Sequence, residues 1–411
     1  MLKNKFFIII IVMLHSIYML LWTQETRIAE IQIIEMTGLK RSLDYIELFL
    51  QGNQGIIPDF NISLYVEDIW TSEKIPCQLI SREVFPESAW GTFRIIFPVS
   101  ISSYEMKHFY LIKTNASSLS LPSTDLKLTG NDLELLIDNL YYQANLTKSD
   151  KSEAKNHSSG QLRELLFKDY NQLFFRTENR IHWGPNFRRK GLKYYETIAG
   201  WEYPNNYKIQ NGVYMIRTLR QDKAPEHPQI YLSAVYSFFA DLPFFTFFSE
   251  MQFTEDTWIE LLRNDEMTMD SIFTHVAYQG LDGQVTSLPF NSHHEHLEKN
   301  PIENDAPWLC FYHDEKKYAY GSIRIEYDNI NTQGSESPTF HPHTMISDGA
   351  AGGKYWNRRL ISERMTLVPE GSRYREMNAY IVFTIHNTDP FSEIKYWAER
   401  LLNPLKIKII Q

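Results

Sequence analysis

Between His341 and Tyr374 the chain gathers groups that bind and move protons on polar ligands. His341 and His343 precede a glycine-rich run, 349–353, that leads directly into Lys354, Tyr355, Trp356, Asn357, Arg358 and Arg359, and Tyr374 follows. Glycines let backbone approach a ligand closely, and the cations, amide, phenols and imidazoles beside them suit a ligand that carries a carboxylate. The run lacks GKS/T and GxGxxG spacing, so it is neither a nucleotide nor a dinucleotide fingerprint. These side chains are expected together in one loop; the alternative is a packed turn before a strand.

Three further clusters bear chemistry. In 181–196, His182, Trp183, Asn186, Arg188, Arg189, Tyr195 and Glu196 crowd a segment broken by Gly184-Pro185. A Trp beside a His suits a sugar subsite, and the basic residues suit an acidic polymer; a solvated loop edge is the plain alternative. In 263–275, Arg263, Asp265, Glu266, Asp270 and His275 offer carboxylates beside an imidazole, a general acid–base set whose members repel one another's charge. The same residues could instead cap a short helix over 257–262 and bridge Arg263. In 291–296, His294 and His296 would share one face of an extended strand and could hold a divalent metal, zinc or calcium, with Asp305 or His313 completing the set. The spacing is not HExxH, and no cofactor is otherwise required.

Elements must position these groups, and the chain supplies mostly strands. Residues 245–278 join an aromatic run to dense charge, with apolar and polar residues alternating as half-buried strands require. From 28 to about 126, short strands such as 44–50, 61–66 and 91–97 are separated by Gly52, Gly55, Pro58, Pro76 and Pro86, which suits a small β-sandwich. Further strands are expected at 132–142, 211–220, 229–239, 243–253, 306–312, 318–327 and 379–384. The best helix signal lies near the end. There Asp389 can cap, Pro390 can occupy the first turn, and Phe391, Ile394, Trp397, Leu401 and Leu402 recur at helical spacing before Asn403-Pro404.

A resemblance joins these readings. A strand holding Asn139, a polar stretch over 147–160 ending in Ser159-Gly160, and then Gln161-Leu162-x-x-Leu165 resemble the opening hairpin of galactose-mutarotase-like β-supersandwich domains. Such domains occur in sugar epimerases, glycosidases and polysaccharide lyases. The resemblance implies a supersandwich over 128–411 and a sugar as ligand. The expected architecture is therefore mostly β: an N-terminal β-sandwich, 25–127, followed by a large antiparallel β-supersandwich with a C-terminal helix, 128–411.

Composition narrows the classes. With 411 residues, 43% hydrophobic and 14% aromatic, the chain can bury large cores. A net charge of −9 without a long basic run argues against nucleic acid. Lys3 and Lys5 before the apolar run 6–22 read as a signal peptide or an N-terminal membrane anchor, 1–24, so the chain is expected to be exported to the periplasm or the outside. Sequons stand at Asn61, Asn115, Asn145 and Asn156, and would matter only in a eukaryotic secretory pathway. Cys77 and Cys310, far apart and each in an apolar run, can form one disulfide or remain buried thiols.

The function expected is an exported carbohydrate-active enzyme, a lyase acting on a uronic-acid-containing poly- or oligosaccharide. Elimination needs a cation or amide on the carboxylate, a base for the acidic C–H, and an acid for the leaving oxygen. Asn357, Arg358 and Arg359 can neutralise; His343 or His275, with Tyr355 or Tyr374, can move protons. His182, Trp183, Tyr195, Glu196, Arg263 and Trp356 are the expected sugar contacts. A glycosidase or epimerase using Glu196, Asp265 or Glu266 with a His is the alternative, and a non-catalytic glycan-binding protein is a third reading.

Overall fold

The computed structural model describes residues 25–59, 63–85, 87–114, 121–146, 159–177, 180–192, 195–201, 204–349 and 352–410. The segment 1–24 expected to direct export, three sequons (Asn61, Asn115 and Asn156) and most of the polar stretch 147–160 lie outside the described residues. Among the described residues the chain is mostly antiparallel β, and no helix is long and apolar enough to cross a membrane. Two compact units form. Among the described residues, the first runs over 25–124, 212–214 and 403–410, and the second over 125–211 and 215–402.

In the first unit a five-stranded and a three-stranded sheet enclose one apolar core. Alternation explains it: Ile31 and Ile33 of one sheet meet Leu48, Phe93, Ile95 and Phe97 of the other, with polar neighbours turned outward. The last strand, Lys406–Ile410, pairs with Glu25–Ile34, which is why the chain's end belongs to this unit. Cys77 and Cys310 are both free and buried, and burial pushes both thiols well up.

Glu35 closes a turn in this unit. Its carboxylate accepts from the Thr37 hydroxyl (2.5 Å) and from the backbone N–H groups of Gly38 (2.7 Å), Tyr104 (3.0 Å) and Thr37 (3.1 Å). Burial raises its pKa, but these donors outweigh burial and lower it from 4.5 to about 2. A carboxylate depressed in the folded state adds stability above its unfolded pKa and loses it as pH falls through the folded one. The unfolding free-energy gap between wild type and Glu35→Gln should therefore shrink as pH is lowered from 4.5 towards 2. A gap that stays constant across that window in denaturant titrations would refute the assignment.

The second unit stacks a nine-stranded sheet on a seven-stranded one, with a further five-stranded sheet from Lys127–Asn131 to Gln172–Phe174. A strand expected early in that unit is broken. Expected to run through 132–142, it is two strands, Glu134–Asp138 and Tyr142–Asn145, because Asn139 makes the corner. Asn139 Nδ2 donates to the carbonyls of Phe239 and Leu242, and its Oδ1 accepts from the N–H groups of Tyr141 and Tyr142. Tyr142–Asn145 then pairs with Glu164–Phe167, as the hairpin reading required. The strand expected over 211–220 begins later, at Met215, and runs to Ala224.

The nine-stranded sheet centres on His227–Phe239, Phe244–Phe253, Arg373–Thr384 and Tyr318–Asp328. The seven-stranded sheet runs Glu196–Thr197, Asn186–Arg189, Thr257–Met269, Lys354–Ile361, His343–Asp348 and Ile302–Glu303, with Thr366–Val368 beside the third. Thr257–Met269 replaces the short helix expected at 257–262. Its Thr257, Ile259 and Leu261 are buried while Trp258 and Glu260 are not, a period of two that suits a strand packed on one face. The C-terminal helix, Ser392–Leu402, forms with Asp389 accepting from Ser392 N–H through its backbone carbonyl and pairing with Lys395 at 2.9 Å.

Candidate functional site

The segment following the glycine-rich run, expected as a loop, is a strand, and this decides which way its side chains go. Along Lys354–Ile361 successive residues point to opposite faces. Trp356 and Arg358 face the nine-stranded sheet. Tyr355, Asn357 and Arg359 face away from it.

The inward group forms a buried polar cage. Asp265 stands at φ +44° in an irregularity of Thr257–Met269, where Asn264 pairs with Arg358 and Met267 with Trp356, leaving two residues opposite one. This β-bulge turns Asp265 inward. Its carboxylate accepts from Ser322 Oγ (3.0 and 3.1 Å), Trp356 Nε1 (3.0 Å), Tyr380 OH (3.1 Å) and Arg324 Nε (3.3 Å). Arg358 Nη1 meets Glu376 Oε2 at 3.2 Å, and its guanidinium lies over the Tyr327 ring at 4.3 Å. The loop before Asn186 presses on the bulge: a Cβ on Gly184 would sit 2.9 Å from Glu266 N and 3.1 Å from Asp265 N. His182 is wholly buried beside this cage, its Nδ1 2.5 Å from Tyr236 OH and its ring against Phe247 and Tyr380. Burial first, and Arg220 second, hold it neutral, well below the ordinary histidine range.

The outward group forms a row. Direct cross-strand pairing links Thr197 to Asn186, Asn186 to Arg263, Arg263 to Arg359, Arg359 to His343, and His343 to Glu303. Paired residues share a face, so one polar line crosses six strands about 4.8 Å apart. Asn357 lies two residues along from Arg359, and Tyr355 two further, opposite Thr268 and Ser347. Glu266 leans into the same face, accepting from Asn186 Nδ2 at 2.6 Å and pairing with Arg263 Nε at 3.2 Å. Arg263 also donates to Asn186 Oδ1 at 2.7 Å, and the half-exposed ring of Tyr195 covers its guanidinium at 4.1 Å.

Among the described residues, two donors on this face have no partner. Arg263 Nη2 and Asn357 Nδ2 are buried without a hydrogen bond, although their residues are 2% and 0% exposed. Buried N–H groups are normally satisfied by protein or ordered water, so each of these atoms can take a further acceptor. His343 is partly exposed and its Nδ1 lies 2.7 Å from the His341 carbonyl; the N–H is thereby placed on Nδ1, and Nε2 is left as a base.

Several expected residues fall elsewhere. Arg358, Trp356 and Tyr374 face the interior, Tyr374 donating to the Pro338 carbonyl at 2.5 Å. His275 belongs to the nine-stranded sheet, stacked on Tyr312 at 4.9 Å, and Asp270 pairs with Arg176 at 3.0 Å, so the acid–base set of 263–275 does not assemble. Glu196 pairs with Phe187, whose ring packs on His227, and so turns from the row. Trp183 is tied beside the bulge, its N–H donating to the Glu266 carbonyl and its indole to the Arg180 carbonyl. The strand expected to carry His294 and His296 is a helix, His293–Lys299. Residues two apart there diverge by about 200°, which separates that pair, and Asp305 and His313 lie outside the one metal-spaced group found among the described residues. Asn186 carries two bonds of the site; the sequence places it in the 181–196 cluster without a specific role.

No protein-family model matches the chain, and no curated protein matches it. Solved structures do match. A glycosyl hydrolase family 38 protein from Enterococcus faecalis aligns over 93% of this chain and 47% of its own, with 9% identity and a TM-score of 0.52. An α-mannosidase from Enterococcus faecalis gives 93%, 46%, 9% and 0.52. A galactose mutarotase-like protein from Lactobacillus casei superposes more loosely, at 8% identity over 63% of this chain and 100% of its own, with a TM-score of 0.36. The chain spans about half the length of the first two. The likeness is one of fold.

Proposed function

We propose that the outward face of the seven-stranded sheet binds a uronic-acid-containing saccharide and cleaves it by elimination. The observation that carries the proposal is the pair of buried, unpartnered donors, Arg263 Nη2 and Asn357 Nδ2, in and beside a row that also holds Arg359 and His343. Both orphans donate, so the missing group accepts, and a sugar carboxylate supplies two such oxygens. Neutralising that carboxylate acidifies the adjacent C5–H. His343 Nε2 takes the proton, the electron pair forms the C4=C5 bond, and the C4–O bond breaks. Tyr195, whose ring lies over Arg263, itself two strands from His343, returns a proton to the leaving oxygen. Tyr355, about 13 Å along the strand from Arg359, serves the neighbouring sugar. The shared fold with a protein described as an α-mannosidase accords with a saccharide ligand.

Absorbance of the unsaturated uronate tests the reading. The purified chain, incubated with a panel of acidic polysaccharides and oligosaccharides, should give a rising signal that His343→Ala removes while binding persists. New reducing ends without absorbance would overturn elimination and favour hydrolysis through Glu266, which shares this face. Binding with neither product would leave a glycan-binding protein.

A further inference from the structure

We propose that His293, His294 and Asp348 form a site for one divalent transition metal of the zinc class, independent of the saccharide face. One ligand atom from each residue lies within 4.8 Å of the others. His293 is fully buried, and its Nδ1 is 3.0 Å from the Phe290 carbonyl. That contact fixes the proton on Nδ1 and leaves Nε2 bare, and Nε2 has no partner although it is buried. A neutral imidazole oriented by a backbone carbonyl through its other nitrogen is the state in which histidine binds metal. His294 Nε2 stands 3.1 Å from Asp348 Oδ2, and the two imidazole rings lie 3.8 Å apart, so the donors converge.

Two imidazoles and one carboxylate favour zinc over calcium, which takes six to eight oxygens. Three protein ligands leave a fourth, tetrahedral position for water. Ligand atoms around zinc sit about 3.4 Å apart when bonds are about 2.1 Å, so loading must draw these groups inward. His294 and Asp348 can move, their side chains being 56% and 51% exposed. The Lys354 ammonium, bonded to Asp348 Oδ1, competes with the metal for that carboxylate. Bound metal would tie the helix His293–Lys299 to the end of the strand His343–Asp348. That end lies about 17 Å along the strand from His343, too far to serve its proton transfer.

The test uses the full chain, stripped with chelator and titrated calorimetrically with zinc chloride, then with cobalt(II) to read tetrahedral coordination from its visible spectrum. One ion should bind per chain. His294→Ala and Asp348→Asn, both at exposed positions, should each weaken zinc about 10-fold or more, and His296→Ala should change nothing. Lys354→Met should tighten binding several-fold by removing the competing cation. Absence of saturable zinc binding would overturn the site, as would stoichiometric binding that His294→Ala and Asp348→Asn leave intact. Calcium binding as tight as zinc and insensitive to His294→Ala would overturn it too.

Discussion

Asn357→Ala should lower kcat/KM for the acidic oligosaccharide about 100- to 1000-fold, the usual loss when one donor to a developing anion is removed. Stability should barely respond. Within the protein the Asn357 side chain makes one weak contact, accepting from Arg359 Nε at 3.3 Å, while its Nδ2 is unpartnered. Losing that contact costs about 1 kcal/mol, or about 2–4 °C in melting temperature for a unit of this size. A donor held unsatisfied in the folded chain and needed only in the complex has this signature. Calorimetric melting curves and initial rates on the same preparations check it; a large melting shift with unchanged kcat/KM would make Asn357 a structural residue.

The next residue should behave in the opposite way. Arg358→Met leaves Glu376, 2% exposed, without its hydrogen-bonded cation, and removing one partner of a buried pair costs about 3–5 kcal/mol. The melting temperature of the second unit should fall by about 6–20 °C, while turnover per folded molecule stays within a few-fold. Burial raises the Glu376 pKa and Arg358 opposes that rise, so the substitution raises it further. A carboxyl whose folded pKa is raised favours the folded state below its unfolded pKa and loses that advantage as pH rises through the folded one. The deficit of Arg358→Met should accordingly narrow as pH falls, and Arg358→Met/Glu376→Leu should recover most of it. A deficit that widens in acid, measured by denaturant titration, would contradict the pairing.

The opposite facing of Asn357 and Arg358 marks what could be read from the chain alone and what could not. Strands were legible wherever alternation was clean, as in Phe244–Phe253, and so was the final helix, marked by Asp389, Pro390 and its apolar spacing. Alternation was equally present in Tyr355, Asn357 and Arg359 against Trp356, Arg358 and Leu360, but the preceding glycines suggested a loop, where no period sorts side chains into faces. The bulge at Asp265 was not legible. An Asn-Asp pair tolerates positive φ, yet its inward turn depends on Ser322, Arg324, Trp356 and Tyr380, remote in sequence. The helix over the histidines had a local signal, Glu295 four residues before Lys299, weaker than the apparent strand pattern. Asp348 could not have been matched to His294 from sequence, because 54 residues separate them and only sheet pairing sets where the later strand ends.

The outward row as the saccharide site is most directly tested by affinity in a protein that cannot turn over. His343→Ala, titrated calorimetrically with a uronate tetrasaccharide, should bind one molecule per chain, and adding Asn357→Ala should weaken that binding at least about 10-fold, the equivalent of one good hydrogen bond to a charged group. Equal affinity in the single and double variants would place the saccharide elsewhere and contradict the account.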